Sequence, residues 1–179
     1  ETGTITVNET DEIFQPQTKE ALQAAVDLWV DDNATALATY GEINSWDVSL
    51  ITDMSSLFYD KTTFNDDISS WDVSNVTNMA SMFQAANVFN GDISSWDVSN
   101  VTNMSRMFEM SENGLFNSDI SSWDVSSVTN MRMMLTRSVN FNQDISSWDV
   151  SNVTNMHAMF WRCWGFDQDI SGWNVSNVT

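Results

Sequence analysis

The sequence predicts an α/β repeat solenoid, with short parallel strands on one face and short helical or 3₁₀ turns on the other. Three observations predict this fold class. A 25-residue unit recurs about six times, its first apolar residues alternate with period two, and its next apolar residues recur at threes. An amphipathic segment precedes the repeats and predicts a helical cap. We expect residues 4–42 to form the cap and residues 43–179 to form the repeats, the last of them truncated.

Each repeat is marked by the phrase Trp-Asp/Asn-Val-Ser. The tryptophans that open it lie 25, 25, 27, 25 and 25 residues apart, at Trp46, Trp71, Trp96, Trp123, Trp148 and Trp173. The full unit reads Phe-Asn-x-Asp-Ile-Ser-Ser-Trp-Asp-Val-Ser-Asn-Val-Thr-Asn-Met-x-x-Met-Phe and ends in five variable residues. Its single length change, at 109–115, predicts a loop that the neighbouring units do not constrain.

The apolar residues of the unit predict which side chains face inward. Trp71 and Val73 alternate with polar residues, which is typical of a strand with one buried face. The apolar residues of 76–83 then recur at threes, which favours a tight bend and a short helical or 3₁₀ turn. Because one unit cannot bury these side chains alone, we expect stacked units to form columns of Trp, Val and Met/Phe. We interpret these aromatic residues as core.

The segment before the repeats predicts two helices. Thr18 is expected to cap an amphipathic helix over Lys19–Val30. Asp31 or Asp32 is expected to cap a second, short helix over Ala34–Tyr40, which Gly41 ends. We interpret Glu1-Thr2-Gly3 as a remnant of a secretion expression vector and expect the chain to be a piece of a longer one.

Charge is strongly one-sided, with 25 acidic and 6 basic side chains and a net charge of −19. Such a balance argues against nucleic acid and anionic membrane surfaces as partners, and favours cations or basic protein patches. The sequence has no apolar run long enough to predict membrane insertion. It leaves the oligomeric state open.

The repeated phrase, with Phe-Asn-x-Asp-Ile upstream, resembles the BspA-like leucine-rich-repeat surface proteins. The leader Thr-Lys-Glu-Ala-Leu-x-x-Ala-Val-x-x-Trp-Val is similar to the segment that precedes such arrays, so the resemblance covers about residues 14–179. It implies a leucine-rich-repeat-like curved solenoid, secretion, and adhesion or recognition of host proteins. It implies no catalytic residues. Trp-Asp-Val departs from the aliphatic strand positions that are usual in the family.

Stacked repeats predict two columns of aspartates. The outward column alternates with the buried Trp and Val positions and consists of Asp47, Asp72, Asp97, Asp124 and Asp149. Together with Ser70, Ser74, Ser95 and Ser99 it is the predicted ligand-binding face, because no Lys or Arg occurs in this part of any repeat. Like charges about 5 Å apart repel each other. We therefore interpret the presence of this column in every repeat as a sign that it serves a function.

The upstream column consists of Asp67, Asp92, Asp119, Asp144 and Asp169. Three interpretations stay open for the aspartates. They can hydrogen-bond nearby backbone groups in turns. They can bind a divalent cation, Ca²⁺ first, between adjacent repeats. They can also form an electrostatic surface for a basic ligand. The sequence contains no Asp-x-Asp-x-Asp-Gly calcium loop.

Asparagines recur in the same way. Stacked Asn75, Asn100, Asn152 and Asn177 are expected to satisfy backbone groups at bends. The repeat sequence also creates Asn-x-Ser/Thr sequons. Asn8 and Asn33, which lie outside the stacked asparagines, are the predicted glycosylation sites.

Candidate catalytic groups are few. His157 is the only histidine and is interpreted as a surface side chain, and Cys163 is the only cysteine and is interpreted as a small buried apolar residue. We therefore expect a non-enzymatic adhesion or recognition module, outside the cell or on its surface, that binds a protein or glycan ligand, itself basic or cation-bridged. A calcium-stabilised structural spacer is the first alternative. An ice- or glycan-binding array is a remote one.

Overall fold

The computed structural model of the chain describes residues 13–111 and 114–179. Two α-helices, α1 (Lys19–Asp31) and α2 (Asn33–Tyr40), and a 3₁₀ turn (Ile43–Ser45) lead into a stack of repeats. After the 3₁₀ turn, the described residues contain no helix and no strand. The predicted vector remnant Glu1–Gly3 and the predicted glycosylation site Asn8 lie outside the described residues, as does part of the loop predicted at 109–115.

Each helix begins and ends within one residue of its predicted bounds. The Thr18 side chain accepts a hydrogen bond from the backbone N–H of Ala21 (3.2 Å), and the Asp32 side chain accepts one from that of Thr35 (3.2 Å). Gly41 ends α2 at φ 71°, a conformation that glycine adopts without steric cost. The apolar stripe of α1 is buried and comprises Leu22, Ala25, Val26 and Trp29.

Polar side chains fasten α1 to the first repeats. The Lys19 Nζ lies 3.2 Å from an Asp53 carboxylate oxygen, and the indole Nε1 of Trp29 donates to Asp66 over 2.8 Å. These contacts hold the helix against the end of the stack, so the first repeat is covered on its outer side.

The predicted α/β solenoid with parallel strands is wrong. The Trp-Asp-Val segment is bent by turns: Trp71 N–H donates to the Ile68 carbonyl (3.2 Å), and Val76 N–H donates to the Val73 carbonyl (2.9 Å). Bonds of this i→i−3 kind leave too little extended chain for a strand. The pairing that remains consists of isolated parallel bridges, Asp53–Asn78, Asn78–Asn103, Asn103–Asn130 and Asn130–Asn155.

The second half of the repeat also differs from the prediction, because its described residues form neither a helix nor a 3₁₀ segment. Backbone N–H groups alternate between a partner inside the repeat and one in the next repeat. Met82 N–H donates to Met79 (3.2 Å), whereas Phe83 N–H donates to Met107 of the next repeat (2.9 Å). Positive φ values interrupt any helix, at Ser56, Asp60, Ser81, Ala85, Arg106, Met133, Arg137, Ala158 and Arg162. The leucine-rich-repeat-like architecture is therefore wrong as well.

Successive repeats nevertheless stack in register as coils of turns. Thr102 N–H donates to the carbonyl of Thr77, one repeat earlier, over 2.9 Å, and the Thr102 hydroxyl donates to the same carbonyl over 3.1 Å. The equivalent backbone bonds join Thr77 to Thr52, Thr129 to Thr102, Thr154 to Thr129 and Thr179 to Thr154. Each coil is thus bonded to both neighbours through its main chain.

The core runs through the middle of the stack. The Phe83 ring stacks on the rings of Phe58 and Phe108, with centroid distances of 5.1 and 5.6 Å. The Trp71 and Val73 side chains are buried, whereas Asp72 between them is exposed. The inward and outward positions predicted from the sequence are confirmed, although the backbone that carries them is a series of turns.

Candidate functional site

Each aspartate of the outward column is the first residue of a side-chain-capped turn. The Oδ1 of Asp97 accepts the backbone N–H of Ser99 over 3.0 Å and its hydroxyl over 2.6 Å. Asp72 and Ser74 repeat these bonds at 3.0 and 2.6 Å. The backbone bond recurs at Asp47–Ser49, Asp124–Ser126 and Asp149–Ser151. One carboxylate oxygen of each residue therefore holds the turn, and every side chain except the half-buried Asp47 is exposed.

The upstream column has the same local geometry. The Oδ1 of Asp92 accepts the backbone N–H and the hydroxyl of Ser94, over 3.0 and 2.7 Å. The backbone bond recurs at Asp67–Ser69, Asp119–Ser121, Asp144–Ser146 and Asp169–Ser171. The interpretation as turn-forming aspartates is thus confirmed for this column, and it applies to the outward column as well.

Hydrogen bonds from serine favour the ionised form of Asp97 and of seven other column aspartates. The Ser99 hydroxyl and then its backbone N–H lower the pKa of Asp97 below the ordinary value, against a smaller opposing effect of burial. The pKa is lowered for the same reasons at Asp47, Asp149, Asp67, Asp92, Asp119, Asp144 and Asp169. The negative charge of Asp92 slightly offsets the lowered pKa of Asp67 and Asp119, so neighbouring charges of this column interact.

The other predicted serines also bond within the stack. The Ser95 hydroxyl donates to the Ser69 carbonyl of the preceding repeat (3.2 Å), and the Ser70 N–H donates to the Asn44 side chain (2.9 Å). With the hydroxyls of Ser74 and Ser99 held by aspartates, the serines of the predicted face serve first to shape it. The negative charge that the face presents comes from the aspartates.

Basic side chains pair elsewhere. Within the described residues the salt bridges are Lys19–Asp53, Lys61–Asp27 and Arg106–Glu109. None of them involves either column. A neutral side chain does reach the outward column at its first member, where Gln15 donates to Asp47 over 2.6 Å. Across residues 13–111 and 114–179, both columns are therefore surfaces of uncompensated negative charge.

Metal coordination was one of the interpretations of the columns. The described residues contain no group of three or more His, Cys, Asp or Glu side chains close enough together to hold a metal ion. The stacking places the aspartates of a column one per coil and occupies one oxygen of each with serine.

The stacked asparagines satisfy backbone groups, as predicted. Asn100 Nδ2 donates to the Ser74 carbonyl of the preceding repeat over 2.8 Å. The equivalent bonds run from Asn75 to Ser49, Asn152 to Ser126 and Asn177 to Ser151. The amide nitrogen that would carry a glycan is thus used within the stack. Asn33, the predicted glycosylation site among the described residues, is exposed at the start of α2.

The candidate catalytic groups lie apart from the columns. His157 is exposed, and Cys163 is buried with its thiol 3.1 Å from the Ser138 carbonyl. Burial raises the pKa of the Cys163 thiol to about 12, so it stays protonated at neutral pH. Sequence reasoning did not single out two exposed tryptophans beside Cys163, Trp161 and Trp164. The signal in the sequence was that no earlier repeat has a tryptophan at either of these two positions.

Comparison with known proteins identifies the family to which the chain belongs. The chain matches no curated protein and no solved structure. No helix of the described residues is long and apolar enough to cross a membrane. A family model described as "Mycoplasma protein of unknown function, DUF285" matches residues 27–114 and 110–179. Since these matches cover most of the chain, including all of the repeats, the chain belongs to the DUF285 family.

Proposed function

We propose that this chain is a recognition module, outside the cell or on its surface, that binds a basic protein partner through the outward aspartate column. The observation that carries the proposal is the arrangement of this column. It presents one exposed carboxylate per coil, oriented by a serine turn and without a basic partner among the described residues. The resemblance to BspA-like surface proteins supports the location, and we assign the chain no catalytic role.

The geometry suits electrostatic recognition. Because the Asp97 Oδ1 is fixed by Ser99, the other oxygen is held in a defined direction before any ligand arrives. Preorganised charges reduce the entropy lost on binding. A regular column of negative charge also accelerates the approach of a positively charged partner, and salt weakens this effect.

The test replaces Asp97 and Asp124 by asparagine. The fold already contains the isosteric turn, since Asn174 Oδ1 accepts the Ser176 N–H over 3.2 Å at the equivalent position of the last repeat. The double variant therefore removes two charges and keeps the turns. Binding of a labelled oligolysine peptide, measured at several NaCl concentrations, should weaken, mainly through a slower and less salt-sensitive association rate.

The matched control is the double variant Asp31→Asn and Asp60→Asn, which removes the same charge from two exposed positions outside the columns. It should leave oligolysine binding close to that of the unmodified chain. If the two double variants weaken binding equally, binding follows net charge alone, and the proposal is overturned.

A further inference from the structure

A column of asparagines runs along the stack directly after the repeat phenylalanines, and we call it the Phe-Asn column. It consists of Asn65, Asn90, Asn117 and Asn142. The Oδ1 of Asn90 accepts the backbone N–H of Asn117 in the next coil over 2.7 Å. The Asn90 N–H in turn donates to Asn65 Oδ1 in the preceding coil over 2.7 Å, and Asn142 is bonded to Asn117 in the same way over 2.9 Å. These asparagines therefore share one structural role.

The members of the Phe-Asn column differ in the residue that follows them. In chain order the following residues are Asp66, Gly91, Ser118 and Gln143. The backbone nitrogen of the residue after an asparagine can attack the side-chain amide carbon, and a Cβ on that residue hinders the attack. Glycine has no Cβ, so Asn90 is the member at which this attack is unhindered. Asn90 is also exposed, so water reaches its side chain.

The groups that such a reaction consumes are not used by the stack. The Gly91 N–H and the Asn90 Nδ2 group have no hydrogen-bond partner within residues 13–111 and 114–179. The Asn90 N–H and Oδ1, which bond to the neighbouring coils, are retained. The Ser118 hydroxyl also donates to Asn90 Oδ1 over 3.2 Å, so two donors polarise the carbonyl whose carbon is attacked. The reaction therefore costs the stack no hydrogen bond.

We propose that Asn90 is a site of spontaneous modification, at which the side-chain amide is converted to a carboxylate. The Gly91 nitrogen gives its proton to water and forms a bond to Cγ of Asn90. The bond from Cγ to Nδ2 breaks, and the amide nitrogen leaves as ammonia. Water then opens the five-membered ring at one of its two carbonyls and gives aspartate or isoaspartate. Overall, the residue takes up one water and releases one ammonia, and no other reactant is needed.

The aspartate product fits the stack. Asp167 occupies the equivalent position in the last repeat, where its backbone N–H donates to Asn142 Oδ1 over 2.9 Å. Because a carboxylate oxygen accepts the same hydrogen bonds as the amide oxygen, the bond from Asn117 is kept. Conversion of Asn90 to aspartate therefore adds one negative charge two residues before Asp92 and leaves the coil intact.

The isoaspartate product does not fit in the same way. It routes the main chain through the side chain and so inserts one extra carbon atom between residues 90 and 91. The main chain is held on both sides of this point, by the bond from the Asn90 N–H to Asn65 and by the bond from the Ser118 hydroxyl to the Gly91 carbonyl over 2.7 Å. Isoaspartate at this position should therefore loosen the contacts between neighbouring coils.

The test incubates the whole folded chain in mildly alkaline buffer and follows each asparagine by peptide mass spectrometry, which detects the replacement of NH₂ by OH. We expect Asn90 to convert at least about ten-fold faster than Asn117 and Asn142, which corresponds to about 1.4 kcal/mol in activation free energy. These two members of the Phe-Asn column are the internal controls. Asn113, which Gly114 follows, is the reference for an asparagine before glycine in the same chain.

Two variants test the role of the following residue. Gly91→Ser gives Asn90 the neighbour that Asn117 has and should slow its conversion to the rate of Asn117. Gln143→Gly leaves Asn90 unchanged and should create a second reactive position at Asn142. Thermal melts show whether each variant keeps its fold, and the second variant remains informative if the first does not fold.

Four outcomes would overturn the proposal. The first is conversion of Asn90 no faster than that of Asn117 and Asn142. The second is conversion of Asn113 without conversion of Asn90, which would show that the stack protects Asn90. The third is an unchanged rate at Asn90 in folded Gly91→Ser, which would exclude attack by the nitrogen of residue 91. The fourth is no gain at Asn142 in folded Gln143→Gly.

Discussion

The indole Nε1 of Trp96 donates a hydrogen bond to the main-chain carbonyl of Ile68 in the preceding repeat, across 3.3 Å. The same bond joins the later coils, at Trp123–Ile93, Trp148–Ile120 and Trp173–Ile145. Each tryptophan thus fills the core of its own repeat and satisfies a backbone acceptor of another. Packing within a coil and bonding between coils depend on one side chain.

Trp96→Ala should therefore destabilise the protein strongly. The side chain is 4% exposed, and removing a buried aromatic side chain costs about 3–5 kcal/mol. The free energy of unfolding, from urea titrations followed by circular dichroism, measures the loss. Trp164→Ala is the control, since an exposed side chain should change stability by less than about 0.5 kcal/mol. Equal effects of the two substitutions would contradict the assignment of the Trp column to the core.

Replacing Asp97 by alanine or by asparagine should separate its turn from its charge. Asp97→Ala loses the two bonds to Ser99 and should destabilise the protein by about 1 kcal/mol. Asp97→Asn keeps an acceptor in the same place and relieves repulsion within the column, so stability should stay level or rise. Thermal melts at low salt measure both. A similar loss in both variants would show that the charge itself stabilises the fold.

Ala85→Gly should leave stability unchanged or raise it. Ala85 has a φ of 62°, a left-handed conformation that costs an L-residue about 1–2 kcal/mol, and glycine avoids this cost. The entropy that glycine loses on folding offsets part of the gain, by about 0.5–1 kcal/mol. Ala80→Gly, outside the positions of positive φ, is the control and should only destabilise. The prediction fails if Ala85→Gly is the more harmful of the two.

Stability should fall in acid. A folded pKa below the unfolded value means that the ionised carboxylate favours the native state, as at Asp92 and Asp97. This contribution is fully present above the unfolded pKa of about 3.9 and is lost as the pH falls through the folded pKa. Melting temperatures should thus change little between about pH 7 and 5 and drop below about pH 4. A melting temperature that rises below that pH would mean that relief of repulsion outweighs the lost serine bonds.

Calcium should stabilise the chain no more than magnesium does. Each column aspartate already uses one oxygen for its serine, whereas Ca²⁺ takes about six to eight oxygen ligands. Equal concentrations of CaCl₂ and MgCl₂ should raise the melting temperature alike, through screening of the acidic columns. A calcium-specific rise would instead establish the calcium-stabilised spacer as the better description.

The sequence predicted which side chains are buried but not the backbone that buries them. Alternation of Trp71, Asp72 and Val73 is as compatible with a succession of turns as with a strand, because both turn neighbouring side chains to opposite sides. The competing signal was the recurrence of Asp-x-Ser. At Asp67–Ser69 and Asp72–Ser74 a carboxylate takes the serine N–H that a neighbouring strand would otherwise accept. Side-chain acceptors therefore replaced the expected sheet.

The helices were easier to predict because their caps are local. Thr18, Asp32 and Gly41 act on residues within four positions of themselves, so their roles can be read without knowing the tertiary structure. The second half of the repeat could not be read in this way. Its threefold spacing fits a helical turn, but Ser81 and Ala85 adopt positive φ because alternate N–H groups bond to the next coil. Only the stacked neighbour determines that backbone.

The ladder of Thr–Thr and Trp–Ile bonds has a consequence for how such chains change in length. The Thr102 N–H donates to the Thr77 carbonyl, and the Thr102 carbonyl accepts the equivalent bond from the Thr129 N–H. Adjacent coils are therefore joined through identical groups. Duplication or deletion of one 25-residue unit in frame would therefore preserve both junctions and the cross-section of the stack. The number of coils can therefore change over evolutionary time while the bonds between adjacent coils stay the same.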